Sequence, residues 1–427
     1  MAWSDVDRRL LDDPGARVGS LPGKAVPELG RKATQAAPAA RIEVVFSRWN
    51  CAAPDRAFVA GGAAALGGMK QGRTRLLFLI PTLRGGGAER VVVTLLQHLD
   101  RARFELSLAV VDTREAAFRD QLPADVDLGC RRVRQALPKL LRLLWRRRPD
   151  VVMSTLGHLN LALAIVRPLL PGGTRYIARE TTIVSNGIAE YRRPRLWAWA
   201  YRRFYGRFDR VICQSGGMRD DLVANHGLDA NRTVVIHNPV DRDRIVAALA
   251  APGQPVPPIG FLHVVAAGRL SGEKGFDLLL DALALARRRD LHLTILGDGP
   301  LRAELGARAV ARGIAERVRF VGFLRNPYPT LGAADLFVLS SRYEGFPNVV
   351  LEALACGTPV VAMPAPGGVR EILDRVPGCI VADDLSAEAL AAALDRWQPS
   401  RVPESAVDAY AVGRIVAAYE AEFLRAG

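Results

Sequence analysis

Two glutamates, Glu344 and Glu352, stand with seven residues between them in the run Ser340-Ser341-Arg342-Tyr343-Glu344-Gly345-Phe346-Pro347-Asn348-Val349-Val350-Leu351-Glu352. An ionised glutamate offers only hydrogen-bond acceptors, so each can grip a pair of sugar hydroxyls. Upstream, Gly268-Arg269-Leu270-Ser271-Gly272-Glu273-Lys274-Gly275 supplies two cations. A guanidinium can fork two phosphate oxygens, and an ammonium can act beside them as a point charge. Nearer the amino end, Gly85, Gly86 and Gly87 are consecutive, and backbone without side chains can approach an anion closely. Acceptors for hydroxyls beside donors for phosphate fit a sugar joined to a diphosphate. Taken singly, each feature also has an ordinary reading, as solvated or capping glutamates or a basic surface loop.

The elements that must position these groups surround them. Residues 334–339 read as a buried strand, and Asn348 reads as the cap of a helix beginning at Val349, which Gly357 and Pro359 end. Glu344 then lies on the loop leaving a strand's C-terminal end, and Glu352 about one turn into the next helix. Both border the crevice where open α/β sheets take ligands, and the N–H groups of residues 345–349 face the same space. Strand 261–265 and helix 276–287 flank the Arg269–Lys274 loop, while strand 76–83 and helix 91–99 flank the three glycines. The glycines do not follow the G-x-G-x-x-G spacing, which argues against a nicotinamide dinucleotide. Strand-like and helix-like segments alternate from Arg75 onward, the pattern of α/β layers with parallel sheets.

In order and spacing, Gly85-Gly86-Gly87-Ala88-Glu89-Arg90, the Gly268 to Gly275 loop, Gly297-Asp298-Gly299-Pro300 and the Glu344/Glu352 block resemble the family 4 glycosyltransferases. The resemblance runs from about residue 74 to 424 and implies two Rossmann-like domains facing across a cleft (the GT-B fold). It implies a retaining transferase that moves a hexosyl or N-acetylhexosaminyl group from a nucleotide sugar. Glu352 would hold the ribose and Glu344 the donor sugar, with Gly345, Phe346, Pro347 and Asn348 completing that pocket. Gly268 belongs to the same donor set. Arg269 and Lys274 would take the diphosphate and the charge building on the leaving group, the electrostatic kind of catalysis. Gly86 and Gly87 would close over the phosphates from the opposite domain. His158, in Ser154-Thr155-Leu156-Gly157-His158, matches the position of a family histidine near the reacting centre. The glycine loop and Ala178-Arg179-Glu180-Thr181-Thr182 look like members that use UDP-sugars, so UDP is favoured over GDP. A nucleotide-sugar epimerase on the same fold and a non-catalytic nucleotide-sugar-binding protein are the rival readings.

The expected organisation is a leader over 1–72, disordered or an upstream misreading with Met69 as the start. An acceptor-side domain follows over 73–245, then a Pro-rich linker over 246–258 and a donor-binding domain over 259–400. A C-terminal helix over 401–427 returns to the first domain. Five cysteines with no C-x-x-C pair and six histidines without ligand spacing argue against zinc and a disulfide scaffold. The acidic triplets Asp125-Val126-Asp127 and Asp241-Arg242-Asp243 are weak metal candidates, and cations with helix N-termini make a metal or other cofactor unnecessary. Net charge is +14, and the basic residues clump in 131–148 and 192–208, the second interleaved with aromatics. Such helices suit an anionic membrane surface. No nucleic-acid-binding pattern accompanies them, and no run of roughly 18 apolar residues spans a membrane. The expected setting is cytoplasmic, peripheral to the inner face of the cell membrane, with a lipid-linked or envelope glycan as acceptor.

Overall fold

The structure, a computed structural model, describes residues 72–84, 86–112, 126–127, 133–252 and 260–425. The expectations for residues 1–71, Gly85, Asp125, Cys130, Arg131, Arg132 and residues 253–258 of the Pro-rich linker lie outside the described residues.

Two parallel sheets organise the chain. The first contains β1 (Thr74–Thr82), β2 (Phe104–Asp112), β3 (Val126–Asp127), β4 (Val151–Thr155), β5 (Arg175–Arg179), β6 (Arg210–Cys213) and β7 (Thr233–Val235). Its strand order is β3-β2-β1-β4-β5-β6-β7. The second contains β8 (Leu262–Ala267), β9 (Leu291–Leu296), β10 (Val318–Gly322), β11 (Leu336–Leu339), β12 (Val360–Ala362) and β13 (Ile380–Val381), in the order β10-β9-β8-β11-β12-β13. Each order reverses once, between β1 and β4 and between β8 and β11, which is where doubly wound sheets open a crevice at the strands' C-terminal ends.

Burial on both faces explains the continuous apolar runs. Along β1, Leu77 and Leu79 face one helical layer, while Leu76, Phe78 and Ile80 face the other. Along β11, Leu336 and Val338 point one way, and Phe337 and Leu339 the other. The carboxyl-terminal helix Val412–Leu424 covers the first sheet with Ile415, Val416, Tyr419 and Phe423. The Phe423 ring stands edge-on to Phe78 and Phe104, each at 6.1 Å between centroids. The chain crosses between sheets twice, and the crossings pair side by side through a parallel bridge between Val240 and Ala411.

Several boundaries differ from the sequence reading. The C-terminal segment is a 3-10 turn over Glu404–Tyr410 and a separate helix after Ala411, because Ala411 is extended. Helix Arg242–Ala248 runs into the expected linker, with the Asp241 side chain accepting from the Arg244 N–H as its cap. The helix Val133–Arg147 within the basic stretch 131–148 contains Pro138 and buries Ala136, Leu140 and Leu144 one turn apart.

Candidate active site

The donor-side loops are built by close backbone packing. A Cβ on Gly297 would lie 1.9 Å from the Gly268 carbonyl oxygen, and one on Gly299 would lie 2.5 Å from that of Leu270. The Gly-Asp-Gly-Pro segment after β9 is therefore what lets the loop after β8 sit where it does. Gly275, at φ +61°, presses against the Ser340 carbonyl, with only 2.1 Å for a Cβ. The Ser340 hydroxyl donates to the Lys274 carbonyl at 2.9 Å, and the Arg342 N–H to that of Glu273 at 2.8 Å. These contacts join the loops leaving β8 and β11.

Their product is a contact between two of the candidate residues. Lys274 Nζ lies 2.7 Å from Glu344 Oε1, which also accepts from the Ser341 hydroxyl at 2.6 Å. Arg269 is exposed on the same loop as Lys274. Gly268 packs on the Lys274 stem, its Cβ position 3.6 Å from Cγ and Cδ.

The helix after Glu344 spans Asn348–Ala355, and Pro347 rather than Asn348 occupies the cap position. Asn348 is spent on the opposite wall of the cleft. Its Nδ2 donates to the Gly87 carbonyl at 3.1 Å, and its Oδ1 accepts from Asn238 at 2.6 Å. Pro347 has no N–H and cannot serve an anion. The Phe346 side chain is buried against His237 and Tyr410, which leaves only its backbone to face a ligand.

Gly87 opens the helix Gly87–His98 after β1, with Gly86 as its cap and Glu89 reaching back to the Gly86 N–H. The Asn348 amide sits 2.9 Å from where a Gly87 Cβ would be, so a side chain there would displace the Asn348 amide. One turn on, Arg90 crosses the cleft to Glu352 and donates to the Tyr328 hydroxyl at 3.1 Å. Burial pushes the Glu352 carboxyl pKa up, with Arg90 acting against that shift, and pushes the Tyr328 phenol up to about 12. Arg90 and Tyr328 were absent from the candidate set. Arg90 lies in the quoted glycine motif, three residues beyond Gly87 and so on its face of the helix.

His158 is the second residue of the helix Gly157–Val166, exposed at the end of β4, and desolvation by the protein around it holds its pKa below the ordinary value. The residue before that helix, Leu156, has φ +76°, a conformation that L side chains adopt only under constraint. Beneath the turn lies a buried polar network. Arg179 Nε donates to the Tyr419 hydroxyl at 2.9 Å, and its terminal nitrogen to Asn238 at 2.6 Å. Asn238 also donates to the Phe346 carbonyl at 3.2 Å. Further contacts join the walls: Glu371 accepts from the Gly216 N–H at 2.7 Å and faces His237 at 3.1 Å. Among the described residues no group of three His, Cys, Asp or Glu side chains is placed to hold a metal ion, and no helix is long and apolar enough to cross a membrane.

Two Rossmann-like domains closing on a cleft, with acceptors and cations grouped at the C-terminal strand ends, define a GT-B glycosyltransferase. Residues 85–244 match the model described as Glycosyltransferase Family 4, and residues 262–398 match Glycosyl transferases group 1. The chain carries both domains and is a glycosyltransferase. It is 28% identical over 315 residues to the Campylobacter jejuni N-acetylgalactosamine-N,N'-diacetylbacillosaminyl-diphospho-undecaprenol 4-alpha-N-acetylgalactosaminyltransferase, covering 70% of this chain and 83% of that protein. It is 29% identical over 321 residues to the Rhizobium meliloti lipopolysaccharide core biosynthesis glycosyltransferase LpsE, covering 73% and 86%. Among solved structures, Anabaena HepE in complex with UDP and glucose superposes with a TM-score of 0.66 at 20% identity, covering 82% of this chain and 99% of that one.

Proposed function

We propose that this glycosyltransferase is a retaining enzyme that moves a hexosyl or N-acetylhexosaminyl group from a UDP-sugar to a lipid-linked or envelope glycan. The observation that carries the reading is the Lys274–Glu344 contact on the donor wall, from which Asn348 reaches the Gly87 carbonyl across the cleft. A sugar diphosphate entering here exchanges the carboxylate on Lys274 for phosphate, and frees Glu344 to accept from the sugar hydroxyls. Glu352 accepts from the ribose in place of Arg90. Arg269 and Lys274 stabilise the charge left on the departing diphosphate, an effect that grows in the transition state. His158 faces the reacting centre from the acceptor wall. No metal is required for this charge balance.

The acceptor side is read from the surface. Trp145, Leu169, Leu196 and Trp199 are exposed, among Arg142, Arg146, Arg148, Arg193, Arg195 and Arg203. The helices carrying them share one flank of the first domain, where Trp145 Nε1 donates to the Leu169 carbonyl at 2.9 Å. Aromatics among arginines fit the headgroup level of an anionic leaflet. Two similar proteins are named for a diphospho-undecaprenol acceptor and for lipopolysaccharide core synthesis, which supports a lipid-linked acceptor at the cytoplasmic membrane face.

A thermal-shift series with UDP, GDP, ADP and their common sugars in EDTA tests the donor class. Stabilisation by UDP and UDP-sugars alone is expected. Stabilisation by GDP compounds instead, or only when a divalent ion is restored, overturns the UDP or metal-free reading respectively. Release of UDP from a UDP-hexose only when a lipid-linked glycan is added separates a transferase from an epimerase.

A further inference from the structure

Glu180 is 1% exposed and lies just past the end of β5, with no place in the donor site. Its Oε1 accepts from Asn160 Nδ2 at 3.1 Å and from the Tyr205 hydroxyl. Its Oε2 faces Gly157, lying 3.4 Å from where a Cβ there would be, and the Tyr201 hydroxyl lies 2.3 Å from the same point. Asn160 in turn donates to the Arg179 carbonyl at 3.1 Å and accepts from the Ser154 hydroxyl at 2.7 Å.

Gly157 and Asn160 belong to the turn that carries His158, one on each side of it. The buried side of that turn is therefore fixed at two points by one carboxylate and its tyrosines, while the imidazole stands on the exposed side. The turn needs such a hold, because Leu156 at φ +76° is strained and persists only where its surroundings over-determine it. The next residue along the chain meets the donor loop: the Thr181 carbonyl oxygen lies 2.3 Å from where a Gly345 Cβ would be, next to Glu344. One short stretch of backbone thus contacts both the His158 turn and the donor-sugar loop.

We propose that Glu180 is a positioning residue that fixes His158 relative to the donor loop; this rests on the role given to His158 above. The carboxylate touches no substrate. It acts through Asn160, Gly157 and the backbone of Thr181. An acceptor oxygen at this place is what the arrangement requires, so an amide can substitute and a methyl cannot.

The full chain and its E180A, E180Q, Y205F and H158A variants test this. One readout is UDP release from a panel of UDP-glucose, UDP-galactose and their N-acetyl forms. The second is the His158 imidazole resonance, identified by its loss in H158A. E180A is expected to lower kcat at least about tenfold with donor KM within about twofold, the signature of a misplaced group rather than lost binding. E180Q stays near wild type, because its amide oxygen still accepts from Asn160 and Tyr205. The His158 resonance moves in E180A and Y205F and holds in E180Q. Y205F keeps the carboxylate and removes one donor, so it carries the comparison if E180A does not fold. Wild-type turnover in E180A beside a slow H158A, an unmoved resonance in E180A and Y205F, or an E180Q as slow as E180A each overturns the proposal. Wild-type turnover in H158A faults the role of His158 instead, and the resonance alone then decides whether Glu180 holds the turn.

Discussion

The two walls of the cleft hold their groups in place by opposite means. On the second domain, glycines do it: Gly275, Gly297, Gly299 and Gly367 each bring backbone to within 2.5 Å of where a Cβ would stand. On the first domain, side chains do it: Ser154, Asn160, Arg179, Glu180, Gln214 and Asn238 are all at most 3% exposed and hydrogen-bonded to one another or to nearby backbone. At these four positions the donor wall has no space for a Cβ. The other wall has room for its side chains and is exacting about donors and acceptors. On the proposed function the donor's nucleotide diphosphate is the same object at every turnover, and a stiff backbone cradle suits it. Acceptors are varied by changing side chains and turns, and a wall assembled from side chains allows that.

The contrast breaks most sharply where the walls touch. Gly345→Ala would push a methyl against the Thr181 carbonyl at 2.3 Å, backbone against backbone across the cleft. We expect turnover to fall at least about 100-fold, roughly 2.7 kcal/mol of barrier, while nucleotide still raises Tm; kinetics with thermal shift checks both. Next come the two acid–base contacts. Lys274→Ala should slow transfer by about 100-fold with nucleotide affinity little changed. Glu352→Ala should weaken nucleotide binding about tenfold, close to 1.4 kcal/mol. Calorimetry beside steady-state rates separates the two effects, and wild-type behaviour in both variants removes the site.

A third prediction sharpens the side-chain wall. Burial pushes the Glu180 carboxyl up from the ordinary 4.5 to about 7. Between those values the folded chain holds a proton that the unfolded chain has released. The stability this contributes is complete below pH 4.5 and is lost as pH rises through about 7. Glu180→Gln has no proton to lose, so its unfolding free energy in denaturant titrations should gain on wild type from pH 5 to pH 8, by at most about 3 kcal/mol. Arg179 and Asp221 act on Glu180 from neighbouring elements, and Tyr201 and Tyr205 face it; all four are common to both chains, as is His226 beside Asp221 and Tyr201. The smallest effect belongs to the outer surface. Replacing exposed Arg195 by Glu and Trp199 by Ser should weaken sedimentation with phosphatidylserine vesicles several-fold, about 1 kcal/mol per basic residue, and leave UDP-induced stabilisation unchanged.

The donor half was the more legible half because its logic is local. Strand, glycine, cation and helix follow one another between Leu262 and Leu285, and strand, carboxylate and helix between Leu336 and Ala355. Even so, Lys274 meeting Glu344 joins residues 70 apart, and only the closure of two loops shows it. Asn348 was misread for a physical reason: asparagine before an apolar run has the look of a cap, but Pro347 takes that place and Asn348 reaches across the cleft. Arg90 and Glu352 are 262 residues apart, and no periodicity links them. Glu180 left one trace, an Arg-Glu pair following apolar Tyr176, Ile177 and Ala178, where two charges at a buried strand end must find partners.

The carboxyl-terminal helix makes the second domain an insertion within the first. The first sheet is complete by Val235, yet Leu76, Phe78 and Phe104 on one of its faces wait for Tyr419 and Phe423 to cover them. On the ribosome, the whole segment from Leu262 to Trp397 emerges before that cover exists. The donor domain can therefore finish folding first, while its earlier-made neighbour still shows an oily face. Grafting a different donor domain onto this chain thus needs two junctions, one on each of the paired crossings at Val240 and Ala411.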